Sequence, residues 1–160
     1  MAGQAGYDFR FLDTAVAVNE EQFDRVVKKI RNAVGGELNG KTVAVWGLTF
    51  KAGTDDLRDS PSLAVIKRLQ VEGAIVKAHD PTVQGHKEGI PAQVTISKEP
   101  LEACENADAV VLLTDWEEYR NIDPNEVIER LADPNLVDTR NVFDPKEWED
   151  KGFTYQGIGR

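Results

Sequence analysis

An α/β fold is predicted: a mostly parallel sheet of five strands between helices, in three layers, with one further helix at the N-terminus. Three observations carry this. After Gly40, apolar strand-like runs alternate with helical patterns, which implies parallel strands joined by crossovers. Val110, Val111, Leu112 and Leu113 are continuously apolar, as befits a strand covered on both faces. The run TVAVWG over residues 42–47 ends in glycine and leads through a long polar loop to Ser60-Pro61, a helix start.

The elements follow in order. Residues 1–11 read as an irregular lead-in. Leu12, Val16, Phe23, Val26, Val27, Ile30 and Val34 have helical spacing, with Asp13 as N-cap and Gly35-Gly36 as the stop. Strands are predicted at Thr42–Trp46, Ile75–His79, Val94–Ile96, Ala109–Thr114 and Asn135–Asp138. Helices are predicted at Pro61–Glu72, capped by Ser60, then at Lys98–Asn106 and Asn125–Leu131. The expected strand order is 3-2-1-4-5, which places the loops after Gly47 and Thr114 beside a switch point at the carboxyl edge.

A chain of 160 residues suffices for one domain with its own core. The single cysteine, Cys104, can form no internal disulfide and fits a reducing, cytoplasmic setting. A net charge of -9 disfavours nucleic acid and anionic membranes as partners. No apolar run is long enough to span a bilayer. Two histidines and one cysteine in separate elements give no metal site. No paired nucleophile and base is visible, and Cys104, at the end of a predicted helix, reads as an inert thiol.

The loop after the first strand carries Phe50, Lys51, Asp55, Asp56, Arg58 and Asp59. Its two cations either pair with these aspartates on a solvated loop or converge on phosphate oxygens. The loop has no compact G-x-G-x-x-G. Asp80, in His79-Asp80-Pro81, is either a turn former or an acceptor for a ribose hydroxyl. His79 reads as a strand-end residue, and Trp116 as core packing, a rim aromatic or a partner contact. Asp115 is placed to cap the turn through Tyr119, and Arg140 supplies a third cation at the same sheet edge.

Five segments in order resemble the UDP-glucose/GDP-mannose dehydrogenase family. They are VNEEQFDRVVKKI, the stretch from GKTVAVWGLTFKAGTDDLRDSP through HDP, ADAVVLLTDWEEYRNID, VDTRNVFDP and GFTYQGIGR. The resemblance runs from about Asp8 to Arg160 and implies a Rossmann-like domain. It implies that residues 1–36 are the end of a central dimerisation helix and residues 37–160 a UDP- or nucleotide-sugar-binding domain. Complete members oxidise the C6 alcohol of a UDP- or GDP-linked sugar to a carboxylate with NAD. Carried over by motif, Phe50, Lys51 and Arg140 contact the nucleotide sugar, Arg140 often across a subunit boundary. Arg58 approaches the NAD pyrophosphate. The family's GCFGG-like cysteine motif, catalytic lysine and NAD fingerprint are absent from this sequence. The chain is therefore expected to be part of a longer enzyme, to lack the N-terminal NAD-binding domain, to pair as a homodimer through its first helix, and to be inactive alone. The alternative is a stand-alone nucleotide-binding protein without chemistry.

Overall fold

The computed structural model describes residues 10–159. Most of the expected lead-in lies outside them, and the helix has already begun at Arg10. The elements run α1 (Arg10–Ala33), β1 (Thr42–Trp46), α2 (Pro61–Val71), β2 (Ile75–His79), β3 (Thr95–Ile96), α3 (Pro100–Ala103), β4 (Ala109–Leu112), α4 (Glu117–Arg120), α5 (Pro124–Ile128), β5 (Asn135–Asp138), α6 (Pro145–Asp150) and β6 (Thr154–Gly157).

The sheet has six strands in the order β3-β2-β1-β4-β5-β6. All five pairings are parallel. The expected order holds, with β6 added beyond β5. Trp46 pairs with both His79 and Leu112, and Leu112 pairs with Asp138. The carboxyl ends of four neighbouring strands therefore finish level, and the loops that follow them share one rim.

Side chains alternate across the sheet, as a period of two requires. Val43 and Val45 of β1 join Ala109 and Val111 of β4 in one core, with Ile66 and Leu69 of α2 and Val27 and Ile30 of α1. Ala44 and Trp46 join Val110 and Leu112 in the other, with Tyr119, Phe143, Trp148 and Phe153. Trp46 stacks on Tyr119 at 5.3 Å, and Phe143, Trp148 and Phe153 continue the aromatic layer. Burying each such aliphatic side chain contributes roughly 1.5–3 kcal/mol.

Two salt-bridge groups hold the C-terminal half of α1 to α2. Arg31 Nε donates to Glu72 Oε2 at 2.8 Å. Arg68 reaches Asp24 at 2.9 Å, also bonds Glu20, and lies 5.1 Å over the Phe23 ring. The first half of α1 is uncovered: Phe11 is 82% and Val16 61% exposed, whereas Val27 and Ile30 are buried.

Several local expectations are corrected. Asp13 lies inside α1 instead of capping it. Ser60 occupies the N-cap position of α2, but its hydroxyl donates to Leu48 O at 2.6 Å and makes no cap bond. Trp116, not Asp115, precedes α4, while Asp115 pairs with arginines. The β3 strand shrinks to two residues, and β4 ends at Leu112 because Leu113 N and Thr114 N both turn back to Trp46 O. Helices α4 and α6 were not expected. Asp144 caps α6 by accepting from Lys146 N, with Pro145 in the first turn.

Gly47 closes β1 at φ +95°, and a Cβ placed there would lie 2.4 Å from Thr114 Cβ. Gly53, at φ +79°, has open space around it. Gly47→Ala is expected to destabilise the fold by at least ~3 kcal/mol, combining backbone strain with overpacking, and Gly53→Ala by about 1–2 kcal/mol. Urea unfolding of the two variants side by side measures the difference.

Candidate functional site

The rim above β2, β1, β4 and β5 is organised by two buried aspartates. Asp80, at the end of β2, has no exposed surface. Its Oδ2 accepts from Leu48 N at 2.8 Å, Thr49 N at 3.1 Å, Thr49 Oγ1 at 3.1 Å and Trp116 Nε1 at 3.2 Å. Its Oδ1 accepts from Thr82 N at 3.0 Å and Thr82 Oγ1 at 2.8 Å. A single carboxylate thus ties together the loops after β1, β2 and β4. Both oxygens are engaged internally, so the turn-forming reading of Asp80 holds and no oxygen is left to receive a ribose.

The other backbone groups of the β1 loop are also held by neighbouring elements. Gly47 N donates to His79 O at 2.8 Å, and Phe50 N to Asp56 O at 2.8 Å. Thr114 Oγ1 donates to Thr49 O at 2.9 Å. With its proton so used, Thr114 Oγ1 accepts from Ser62 Oγ at 3.2 Å. The loop is a fixed platform, and at its end stand Phe50, half exposed, and Lys51, exposed. The Lys51 ammonium has no ion pair among the described residues. The amides of Leu48 and Thr49, which could have faced a pyrophosphate, point at Asp80 instead. This turn is not a dinucleotide cradle, in agreement with its missing glycine pattern.

Asp138 repeats the device at the end of β5. Its Oδ1 accepts from Arg140 N at 3.0 Å. Its Oδ2 accepts from Val142 N, Phe143 N and Tyr155 Oη at 2.8–2.9 Å. Arg140 projects from this braced turn, half exposed, and its guanidinium meets Asp115 Oδ1 at 3.3 Å. Asp115 also faces Arg120 at 3.8 Å.

Arg58 stands apart from this group. It forms a fork with Asp56, Nε to Oδ1 and Nη2 to Oδ2 both at 3.0 Å, on an exposed surface. The guanidinium holds the Asp56 carboxyl below its usual range. The solvated pairing weighed from the sequence is therefore present at Arg58, though not at Lys51. Arg58 also lines an open groove of about 510 Å³ with Phe23, Leu57, Leu63, Lys67 and Arg68, between α1 and α2. Lys51 and Arg140 do not line that groove. The structure thus presents Phe50, Lys51 and Arg140 along the carboxyl rim and Arg58 on the α1 side.

Trp116 is half-buried, and its indole N–H is shared between Thr49 Oγ1 and Asp80 Oδ2, each at 3.2 Å. His79 is buried against Tyr119, whose hydroxyl lies 3.0 Å from Nδ1 and donates to His79 O at 2.9 Å. Burial pushes the imidazole below its usual range, outweighing nearby carboxylates. The 3.7 Å approach of Glu118 to the ring is therefore not an ion pair near neutral pH. Cys104 is buried, and burial pushes its thiol up to about 12, so it is protonated and shielded. Among the described residues, no group of three or more potential metal ligands comes together, and no helix is long and apolar enough to cross a membrane.

The sequence reading missed Thr49, Ser62, Thr114 and Asp138 as organising residues. The available signal was an aspartate directly ending an apolar strand, as in AHD and LVD.

His79 gives a pH dependence with a definite sign. Its folded pKa is depressed, so its contribution to stability is fully present above the unfolded value of about 6.5. That contribution is lost as pH falls from there through the folded value, because the unfolded chain binds the extra proton. The raised Glu118 acts in the opposite sense, losing stability as pH rises from about 4.5. Subtracting the unfolding free energies of His79→Phe from the parent between pH 4 and 8 isolates the histidine, and the difference is expected to change only below about pH 6.5.

Comparison with known proteins follows this geometry. Residues 44–145 match the family described as UDP-glucose/GDP-mannose dehydrogenase family, UDP binding domain. The chain is 39% identical to a UDP-glucose 6-dehydrogenase of Pseudomonas aeruginosa, covering 99% of this chain and 36% of that protein. It is 39% identical to one of Rhizobium meliloti, covering 94% and 35%. Among solved structures, a UDP-D-ManNAc dehydrogenase from Pyrococcus horikoshii superposes with a TM-score of 0.80 at 27% identity, over all of this chain and 36% of that one. A UDP-glucose dehydrogenase from Pyrobaculum islandicum superposes with a TM-score of 0.75 at 27% identity, over 97% and 33%. The chain spans about a third of the length of these relatives. It belongs to the UDP-glucose/GDP-mannose dehydrogenase family and carries that family's UDP binding domain.

Proposed function

We propose that this chain is the nucleotide-sugar-binding part of an NAD-dependent 6-dehydrogenase acting on UDP-glucose or a close relative such as GDP-mannose. The observation that carries this is the braced carboxyl rim. Phe50 and Lys51 stand on a platform fixed by Asp80, and Arg140 stands on a turn fixed by Asp138, within the match to a UDP binding domain. The Lys51 ammonium, without an ion pair among the described residues, is available there to a phosphate oxygen, which suits a diphosphate.

The residues take separate roles. The Lys51 ammonium is a mobile point charge for a phosphate oxygen, and the Arg140 guanidinium can hold phosphate or sugar oxygens with a directed fork. The Phe50 ring offers an apolar face to base or sugar. Arg58, on the groove side, would meet the pyrophosphate of NAD presented by another domain. When bound there, NAD supplies the hydride acceptor. This chain's part is to grip and orient the anionic substrate.

Chemistry then depends on groups from beyond these residues. Cys104 cannot act as the thiol nucleophile while it is buried and protonated. The uncovered half of α1, with Phe11, Leu12 and Val16, suits pairing with a second copy as the end of a central dimerisation helix. A reducing cytoplasm fits the single free thiol. A stand-alone binding protein remains the second reading, favoured by the self-contained core.

Calorimetry with UDP-glucose is expected to show binding, and Lys51→Ala or Arg140→Ala to weaken it by about tenfold or more, the loss of a charge-assisted bond worth about 1.5–3 kcal/mol. Cys104→Ser is expected to bind normally. Incubation with NAD and UDP- and GDP-sugars is expected to yield no NADH from this chain alone. No detectable binding of any nucleotide sugar would count against both readings.

Sedimentation across a concentration series is expected to show self-association, which Val16→Asp abolishes. A monomer at all concentrations would remove the α1 pairing.

A further inference from the structure

Between the two braced turns lies the β4–α4 loop, residues 113–116, on the strand between β1 and β5. Two adjacent side chains leave it in different directions. Trp116 gives its indole N–H to Thr49 Oγ1 and Asp80 Oδ2, 3.2 Å each, in the support of the Phe50–Lys51 platform. Asp115 gives Oδ1 to the Arg140 guanidinium at 3.3 Å. The loop itself is anchored: Thr114 N bonds Trp46 O, Thr114 Oγ1 bonds Thr49 O, and Trp116 N bonds Thr114 O.

We propose that Asp115 and Trp116 are positioning residues that hold the Lys51 platform and the Arg140 guanidinium in register with each other. The inference rests on the nucleotide-sugar reading of this rim. Neither residue has to touch the ligand. Adjacent strands in a sheet lie about 4.8 Å apart, so the loops of β1 and β5 are separated by roughly 10 Å across β4. A diphosphate-sized ligand bridging them needs that spacing fixed before it binds, because ordering a long guanidinium side chain on binding costs affinity. Asp115 supplies that order for Arg140. It is shared with a second guanidinium, Arg120 at 3.8 Å, which itself also meets Glu117 at 3.6 Å. Trp116 supplies order on the other side, where its N–H closes the set of donors around Asp80.

The test uses Trp116→Phe, which keeps an aromatic ring but removes the indole N–H together with the five-membered ring, and Asp115→Asn, which keeps the shape and removes the charge. Ile66→Val, a buried change in the α2 layer, is the stability control. UDP-glucose affinity is measured by calorimetry and stability by thermal unfolding. Each positioning variant is expected to weaken UDP-glucose at least threefold. Ile66→Val is expected to lower the melting temperature and leave affinity unchanged. Affinity equal to or tighter than the parent in both positioning variants overturns the proposal, as does an equal affinity loss in Ile66→Val.

Ligand-free nuclear magnetic resonance separates this idea from the function it rests on. Trp116→Phe is expected to speed amide exchange at Leu48 and Thr49, and Asp115→Asn to shift the Arg140 Nε–H signal. If the parent binds no UDP-glucose, the function falls, and unchanged exchange together with an unmoved Arg140 signal overturns the positioning role as well.

Discussion

The carboxylate of Asp80 is the constraint on which the ligand-facing rim depends. Burying an ionised carboxyl group costs several kcal/mol unless its oxygens are satisfied. Here the donors that satisfy it come from three loops, through the amides of Leu48, Thr49 and Thr82, two threonine hydroxyls and the Trp116 indole. Each loop is fixed because the carboxylate needs it, and the carboxylate is tolerated because all are present. Asp138 applies the same chemistry three strands away, with the amides of Arg140, Val142 and Phe143 and the Tyr155 hydroxyl. The polar demand of two buried acids thus sets the attitude of the exposed cations.

The sheet makes this arrangement possible. All its strands run parallel, and its central strands are covered on both faces, so successive strands end on one edge with their loops side by side. The level pairing of Trp46, His79, Leu112 and Asp138 brings the acids within reach of neighbouring loops. Gly47 removes the one Cβ that would push Thr114 away from the β1 loop. Rigidity below the rim comes from the apolar layers, and specificity at the rim comes from satisfied polar groups.

Much of the fold was legible because its signals are local. The bounds of β1, β2 and β5 follow from apolar runs closed by turn residues, and α2 from Ser60-Pro61 and Gly73. The sixth strand was not legible: TYQG is short, polar and half-exposed, and it becomes a strand only by pairing with β5 at the sheet edge. Helix α6 had its cap in Asp144-Pro145, but six residues show little periodicity. The candidate site was legible only in its residue types. Lys51 and Arg58 occupy one loop seven residues apart, yet among the described residues one has no ion pair and the other is forked to Asp56. That difference depends on side-chain direction, which no spacing encodes. Asp80 was open between turn and ribose readings because the donors to its Oδ2 lie 31–36 residues away, and only those from Thr82 to its Oδ1 are local.

The most direct measurement is the urea unfolding free energy of Asp80→Ala compared with the exposed change Asp55→Ala. The loss of one buried acceptor for several donors is expected to cost at least ~3 kcal/mol in Asp80→Ala, with Asp55→Ala within about 0.5 kcal/mol of the parent. A cost below about 1 kcal/mol at Asp80 would contradict the claim that this carboxylate holds the rim together.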